Sequence, residues 1–468
     1  MAWFSRVPVV DVTKDNFKEL WPTMLVALKT ATFVAVDLEL SGLGNRRKLN
    51  TPSVDDRYKS LAGVARSRAV LSIGLSCFKL NNMDEDGPLV LPFTTQTFNL
   101  TLLCSEEYVV EPISLKFLVD HGFDFNMQYS QGAPYHRGAD QNGEAPQSVR
   151  QLFSELVCSR VPLILHNGLV DLVFLYQSFY TELPPTLGSF LADLSEMFPA
   201  GIFDTKCITD FHIRMPASYL EYVFRRSQRE NAVHQSKEQP HVTLTFPPYP
   251  PHMACVEYRD CCLPDTLLNT TQSTTVIPYC EQYGAHGTCP KGVKCPLSHD
   301  PDIIIDQEDW VKAKKKRRRD RKKKKGNKTE DGGQDKTEHL VSMETDDGRD
   351  VTSLDGTDSV SSDGQTHTDQ SDGGTDNVVA KTRVGCHRAG FDAFMTGFAM
   401  ATMVCKLGKL CGETDSFTTK FQLEEFANRI YLSGKDFPLQ IARSAFAKPS
   451  NNHKAKLQRL QLGGASYQ

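Results

Sequence analysis

Three short stretches, far apart in the chain, each set acidic residues inside an otherwise apolar segment. They are FVAVDLELSG (33–42), LHNGLVDLVFLY (165–176) and HRAGFDAFMTG (387–397). Between them they supply Asp37, Glu39, Asp171 and Asp392, with His387 five residues before the last. A buried carboxylate is costly unless it is paired or bound to metal. These segments therefore constrain the fold strongly: the elements that carry them are expected to converge. Two carboxylates about 4 Å apart repel by roughly 4 kcal/mol at an effective dielectric of about 20. Four together without cations would be strongly destabilising or partly protonated. An all-oxygen donor set selects hard cations, Mg²⁺ or Mn²⁺, and two such cations suit phosphodiester cleavage. His387, with an ordinary pKa of about 6.5, is suited to take a proton from water near neutral pH.

Taken singly, each residue has a plain explanation. Asp37 and Glu39 form one D-x-E on a strand, where period two puts both side chains on one face. Asp171 can be a helix N-terminal acid favoured by the macrodipole, and His387 a surface histidine. The combination carries the reading.

The pattern around these stretches is α/β. Phe17, Leu20, Trp21, Met24, Leu25 and Leu28 lie on one face of a helix over 16–29. Strands are expected at 32–40, around Leu71–Cys77 and around Phe98–Leu102, the last two with one face buried. Helix 149–157, the short strand PLILHN (162–167), a helix to about Tyr180, helix 187–197, a strand end at 201–207 and helix 218–228 follow. Helices resume after residue 387 and again over 418–430. Strands first and then strand–helix alternation predict a mixed sheet with helices on its faces.

Between these parts the pattern changes. Residues 230–275 are polar and proline-bearing and read as a linker; 326–380 hold no aromatic residue and read as a disordered acidic and polar insertion. Cys280, Cys289, Cys295 and His299 have the spacing C-x8-C-x5-C-x3-H. Three thiolates and one imidazole make a closed tetrahedral Zn²⁺ site. A module over 276–300 has little core of its own, so zinc would fold it; such sites contribute about 10–16 kcal/mol. Tyr283 and His286 lie between the ligands, where they are candidates for stacking on RNA bases.

KAKKKRRRDRKKKK (312–325) is too basic to be buried and reads as a nuclear localisation segment, with nuclear import receptors as partners. The formal net charge of -4 conceals this segregation. The 13 cysteines are odd in number and irregular in spacing, which argues for a reducing compartment rather than a secreted disulfide framework. No signal peptide is expected in MAWFSRVPVVDVTKD, and no apolar run reaches 18 residues, so no membrane partner is expected.

In order, Asp37/Glu39, Asp171, and His387 with Asp392 resemble the three motifs of the DEDDh 3′–5′ exonucleases, which have a ribonuclease-H-like fold. VDLELSG, SVDDRYKSLAGVARSRAVLSIGLSCF, FLVDHGFDFNMQYSQGAPY (117–135) and FDTK (203–206) are similar to the poly(A)-specific ribonuclease and CCR–NOT nuclease branch. The resemblance spans about 1–229 and 384–440, which it marks as two parts of one exonuclease core, with 441–468 a tail. It implies two Mg²⁺ or Mn²⁺ ions on Asp37, Glu39, Asp171 and Asp392, and His387 as base. It also implies single-stranded RNA 3′ ends as substrate, near His166 and Asn167. With a CCCH finger and a basic block, the order is similar to a nuclear deadenylase branch that trims oligoadenylated small nuclear RNA precursors in subnuclear bodies or the nucleolus. Relatives dimerise, which admits a homo-oligomer. Leu40 departs from many relatives, which have an aromatic residue there to wedge the terminal base. Two alternatives stand beside this reading: an RNA-binding adaptor with an inert nuclease fold, and a DNA-directed exonuclease.

Overall fold

The computed structural model describes residues 4–83, 89–141, 146–264, 267, 277–326, 388–411 and 416–464. The chain divides into one unit of Met1–Glu308 with Arg383–Gln468 and another of Asp309–Thr382. In the first unit, β1 (Arg6–Val12), α1 (Phe17–Thr30), β2 (Phe33–Leu40), α2 (Val54–Ser67), β3 (Val70–Leu80) and β4 (Val90–Cys104) come first. Next are β5 (Ala133–Tyr135), α3 (Val149–Ser159), β6 (Leu163–Leu165), α4 (Leu169–Leu175), α5 (Leu187–Met197), β7 (Ile202–Asp204) and α6 (Leu220–Ser236). β8 (His241–Thr245), β9 (Val256–Asp260), α7 (Glu281–His286) and α8 (Pro301–Gly326) lead to the gap in the description. Beyond it lie α9 (Ala389–Leu407), β10 (Arg429–Ile430), β11 (Leu439–Gln440) and α10 (Asn451–Gly464).

The strands form one mixed sheet in the order β11-β10-β7-β6-β2-β3-β4-β1-β9, with β5 and β8 also pairing with β4. β2 lies inside it, antiparallel to β3 and parallel to β6. Strand alternation separates two cores. Val34, Val36, Leu38 and Leu40 of β2 join Ile73, Leu75, Phe98 and Leu100 in a cluster that includes residues of α1 and α3. Phe33, Ala35 and Phe78 face the other way, toward Phe394, Phe398 and Met400 of α9. The mixed α/β architecture is thus the expected one.

Several local expectations change. β3 was expected to bury one face, but Ser72, Gly74 and Ser76 are small because α9 lies over them, and the strand is buried from Val70 to Phe78. The expected linker 230–275 instead extends α6 to Ser236 and supplies two strands. β8 runs parallel to β4, and β9 antiparallel to β1. These are flanking strands with weak apolar alternation, which is why polarity obscured them. The helix expected over 418–430 is confined to Phe417–Lys420; turns then lead to β10, so the apolar spacing of Leu423 and Phe426 belongs to turns that bury them. The tail holds α10, whose His453 is fully buried between the Tyr180 hydroxyl (2.9 Å) and Glu196 (3.1 Å).

Against the expectation from its small size, the 277–300 module does not depend on a metal alone: it packs on the core. Tyr279 and Tyr283 pack against a cluster of Ala217, Tyr222, Ile304 and Ile305. Below it, Arg225 and Arg229 of α6 are both buried and both pair with Asp302, while Arg229 also reaches Asp306. The basic block 312–325 lies on α8, with the residues described up to Arg319 largely exposed, as its charge requires. The insertion 326–380 lies outside the described residues from 327 onward. Among the described residues no helix is long and apolar enough to cross a membrane.

Removing one partner of a buried ion pair strands the other charge and costs about 3–5 kcal/mol. Asp302→Ala strands Arg225 and leaves Arg229 only Asp306, so the unfolding free energy from a urea titration should fall by about 3–5 kcal/mol. A loss below about 1 kcal/mol, the value of an exposed pair, would mean that the module does not dock through this network.

Candidate active site

Asp37 and Glu39 lie on the face of β2 that α9 covers, the face of Phe33 and Ala35. Asp392 is in the first turn of α9 and only 5% exposed. One oxygen from each of Asp37, Glu39 and Asp392 lies within 4.8 Å of the others. Asp171 is in the first turn of α4, just after β6, which neighbours β2. It stands outside that tight trio, yet its charge acts on Asp37.

Glycine permits the approach of α9. Gly74 is paired with Asp37 across the sheet, and a Cβ on it would sit 1.7 Å from the carbonyl oxygen of Ala389. A Cβ on Gly390 would come within 2.7 Å of Asn99 Cβ. Asn99 Oδ1 accepts the Gly390 N–H (3.1 Å), and its Nδ2 donates to Asp11 (3.1 Å). Arg388 donates to Asp11 and to Glu257 on β9. Gly74, Asn99, Asp11, Arg388 and Glu257 were not picked out in the sequence. Glycine inside a strand pattern was the one available signal, since it marks a close backbone approach.

A second knot holds Asp171. Asp204, at the end of β7, is fully buried. Its Oδ1 accepts N–H groups from Asn167 (2.9 Å), Lys206 (3.0 Å) and Cys207 (3.2 Å), and its Oδ2 from Gly168 (3.1 Å) and Tyr431 (3.0 Å). Asn167 takes a left-handed φ of 62° there. His166 was a candidate for contact with RNA, but both its ring nitrogens are occupied. Burial, then the charge of Lys206, lower its pKa to about 3 and keep it neutral. Nε2–H therefore donates to the Ser218 carbonyl and Nδ1 accepts from the Thr205 hydroxyl, both at 2.9 Å. His166 positions the loop; Asn167 is the exposed member of the pair. Leu40 is buried in the α1-side core and offers no wedge to a base.

Burial, then the charges of Asp392, Asp171 and Glu39, hold the Asp37 pKa well above the ordinary carboxylate range. Burial, then the charge of Asp204, raises Asp171 to about 7, against its own backbone hydrogen bond. Buried oxygens this close fit hard divalent cations, which would relieve the repulsion. His387 lies outside the described residues.

The thiolate and imidazole set also converges. Cys280, Cys289, Cys295 and His299 place ligand atoms within 4.8 Å of one another. Among the described residues, His299 Nε2 is buried with no hydrogen-bond partner, which fits a zinc ligand. Tyr283 is not an open stacking platform: its ring stacks on His299 at 4.3 Å and 4°, and its hydroxyl donates to Glu221 (2.9 Å). His286 is exposed.

Together these features define an α/β protein with an all-oxygen centre for divalent cations on one face of its sheet. The particular family follows from sequence similarity. The chain belongs to the CAF1 family of ribonucleases, matched over residues 12–147 and 139–400. It is 25% identical over 139 residues to the poly(A)-specific ribonuclease PARN of Xenopus laevis, covering 27% of this chain and 21% of that protein. It is 24% identical over 136 residues to the pre-piRNA 3′-exonuclease trimmer of Bombyx mori, covering 28% of this chain and 25% of that protein. The chain thus spans a quarter or less of the length of these two curated relatives. Among solved structures, the Mg²⁺- and Mn²⁺-bound Pop2p of S. pombe is similar at 19% identity, with a TM-score of 0.37, over 47% of this chain and 82% of that one.

The raised carboxylate pKa values set a pH dependence. An unfolded Asp titrates at about 3.9. A folded pKa above that favours the folded state below the unfolded value, and the advantage is lost as pH rises through the folded pKa. For Asp171 that pKa is about 7, and Asp37 shifts in the same direction. In Mg²⁺-free buffer the melting temperature should therefore fall between about pH 5 and about pH 8. Added Mg²⁺ should raise it more at the higher pH, because binding no longer has to displace protons. A Mg²⁺ effect that is equal at both values in differential scanning fluorimetry would contradict the site.

Proposed function

We propose that the chain is a two-metal-dependent 3′–5′ exoribonuclease, a deadenylase that removes 3′ adenosines from nuclear RNA, including maturing small nuclear RNA ends. The observation that carries this reading is the convergence of Asp37, Glu39 and Asp392 within 4.8 Å, in a chain of a ribonuclease family. The preference for adenosine is taken from the poly(A)-specific relative. Asp37, Glu39 and Asp392 would hold the cations, with Asp171 beside Asp37. Such cations, when bound, polarise the attacking water and stabilise the leaving 3′ oxygen. His387 would take the proton from that water. His299, Cys280, Cys289 and Cys295 would hold the structural zinc, and exposed His286 would be free to stack on a base. The basic segment 312–325 would engage import receptors.

The decisive assay is shortening of 3′-labelled oligo(A) RNA with Mg²⁺, alongside a matched DNA oligomer. Asp37→Ala with Glu39→Ala should lower kcat on the order of a thousandfold, as loss of an essential catalytic group does. Unchanged trimming by this variant would sink the mechanism. Equal rates on RNA and DNA would replace ribonuclease by general exonuclease. Deleting 312–325 should move a fluorescently tagged protein from nucleus to cytoplasm, and unaltered nuclear retention would refute the import role.

A further inference from the structure

The finger and the catalytic loop meet at one turn of chain. On the finger side, Tyr283 stacks on the zinc ligand His299, donates its hydroxyl to Glu221 (2.9 Å), and meets the Tyr219 ring edge-on with centroids 5.5 Å apart. Gly287, at a left-handed φ of 70°, closes the finger helix so tightly on Tyr219 that a Cβ there would sit 2.5 Å from its Cγ. On the catalytic side, the residue before Tyr219 is the hub. The Ser218 carbonyl accepts from His166 Nε2 (2.9 Å) and from Lys206 Nζ (3.1 Å), and the Ser218 hydroxyl takes a further bond from Lys206 (2.6 Å). His166 opens the loop whose Asn167 and Gly168 amides bind Asp204, and α4 with Asp171 begins at the next residue.

We propose that the zinc-loaded finger is a clamp on the catalytic loop: Tyr283, through Glu221 and Tyr219, holds the Ser218 turn that positions His166, and so places Asp171 for the acidic site. Tyr283 is a positioning residue, and zinc occupancy is coupled to divalent-cation affinity at the carboxylates. Linkage makes the coupling reciprocal. The path consists of packed rings, the short backbone stretch Ser218–Glu221 and part-buried hydrogen bonds, the kind of contiguous network that carries such coupling. The inference rests on the carboxylates being the cation site.

The test uses the full chain and Mn²⁺ as probe, followed by electron paramagnetic resonance, with zinc content measured separately. Tyr283→Phe keeps the ring stack and should retain zinc, yet weaken Mn²⁺ binding by about tenfold. It should lower kcat on a short oligo(A) with little change in KM. Glu221→Gln, which keeps an acceptor for the hydroxyl, should behave as the parent, whereas Glu221→Ala should match Tyr283→Phe. Cys289→Ser should lose zinc and show a larger drop in Mn²⁺ affinity. Parental Mn²⁺ affinity and kcat in both Tyr283→Phe and Glu221→Ala would overturn the clamp. So would a change confined to KM on long RNA, which would make the finger an RNA contact only. A parent chain that binds no Mn²⁺ would overturn the acidic-site reading, and this inference with it.

Discussion

The contact between the start of α9 and the middle of β3 is what the acidic cluster of this fold hinges on. A helix over a sheet normally stands off by the length of the side chains between them. Here the carbonyl of Ala389 lies where a Cβ of Gly74 would be, so backbone meets backbone. Gly74 is the register partner of Asp37, and this seat lowers the first turn of α9 until Asp392 reaches the carboxylates of β2. Any side chain at residue 74 would lift that turn and open the cluster. Asn99, Asp11, Arg388 and Glu257 then hold the helix start by polar contacts from three strands.

Asp204 and Asp37 sit in the same sheet in opposite electrostatic settings. Asp204 receives five backbone N–H groups, which offset much of its burial and make it a structural knot between the α4 loop and β10. Asp37 faces three other carboxylates, and burial with their charge pushes its pKa upward. The first arrangement is complete within the chain. The second is unfavourable at neutral pH, and an unmet need of this kind marks a candidate functional site rather than a structural one.

The long insertion between Asp171 and Asp392 does not leave the sheet and its helices divided. α9 completes the core from beyond residue 388, and α10 returns to cover α5 and the turn after α4 through His453. The cysteine module likewise packs on the core through Tyr279 and Tyr283, and α8 just after it is tied down where Asp302 and Asp306 pair with two buried arginines of α6. A module this small buries little apolar surface of its own, and here neighbouring tyrosines and isoleucines extend it.

Local chemistry was legible in the chain. Period two placed Asp37 and Glu39 on one face, helical spacing marked α1 and α9, and the ligand spacing of the finger named its four residues, because each depends only on near neighbours. What required the tertiary structure were the long-range partners. The polar strands β8 and β9 were hidden because flanking pairing needs backbone groups more than apolar side chains. Leu423 and Phe426 mimicked helical spacing, while the pocket that buries them comes from elsewhere in the fold. His166 and Tyr283, read as surfaces for RNA, proved to be held on their polar atoms by residues dozens of positions away. Composition and short-range period are enough to say which residues carry acid, thiolate and positive charge. Which of the acids meet depends on the folded chain, because their meeting turns on a glycine that lets two backbones touch.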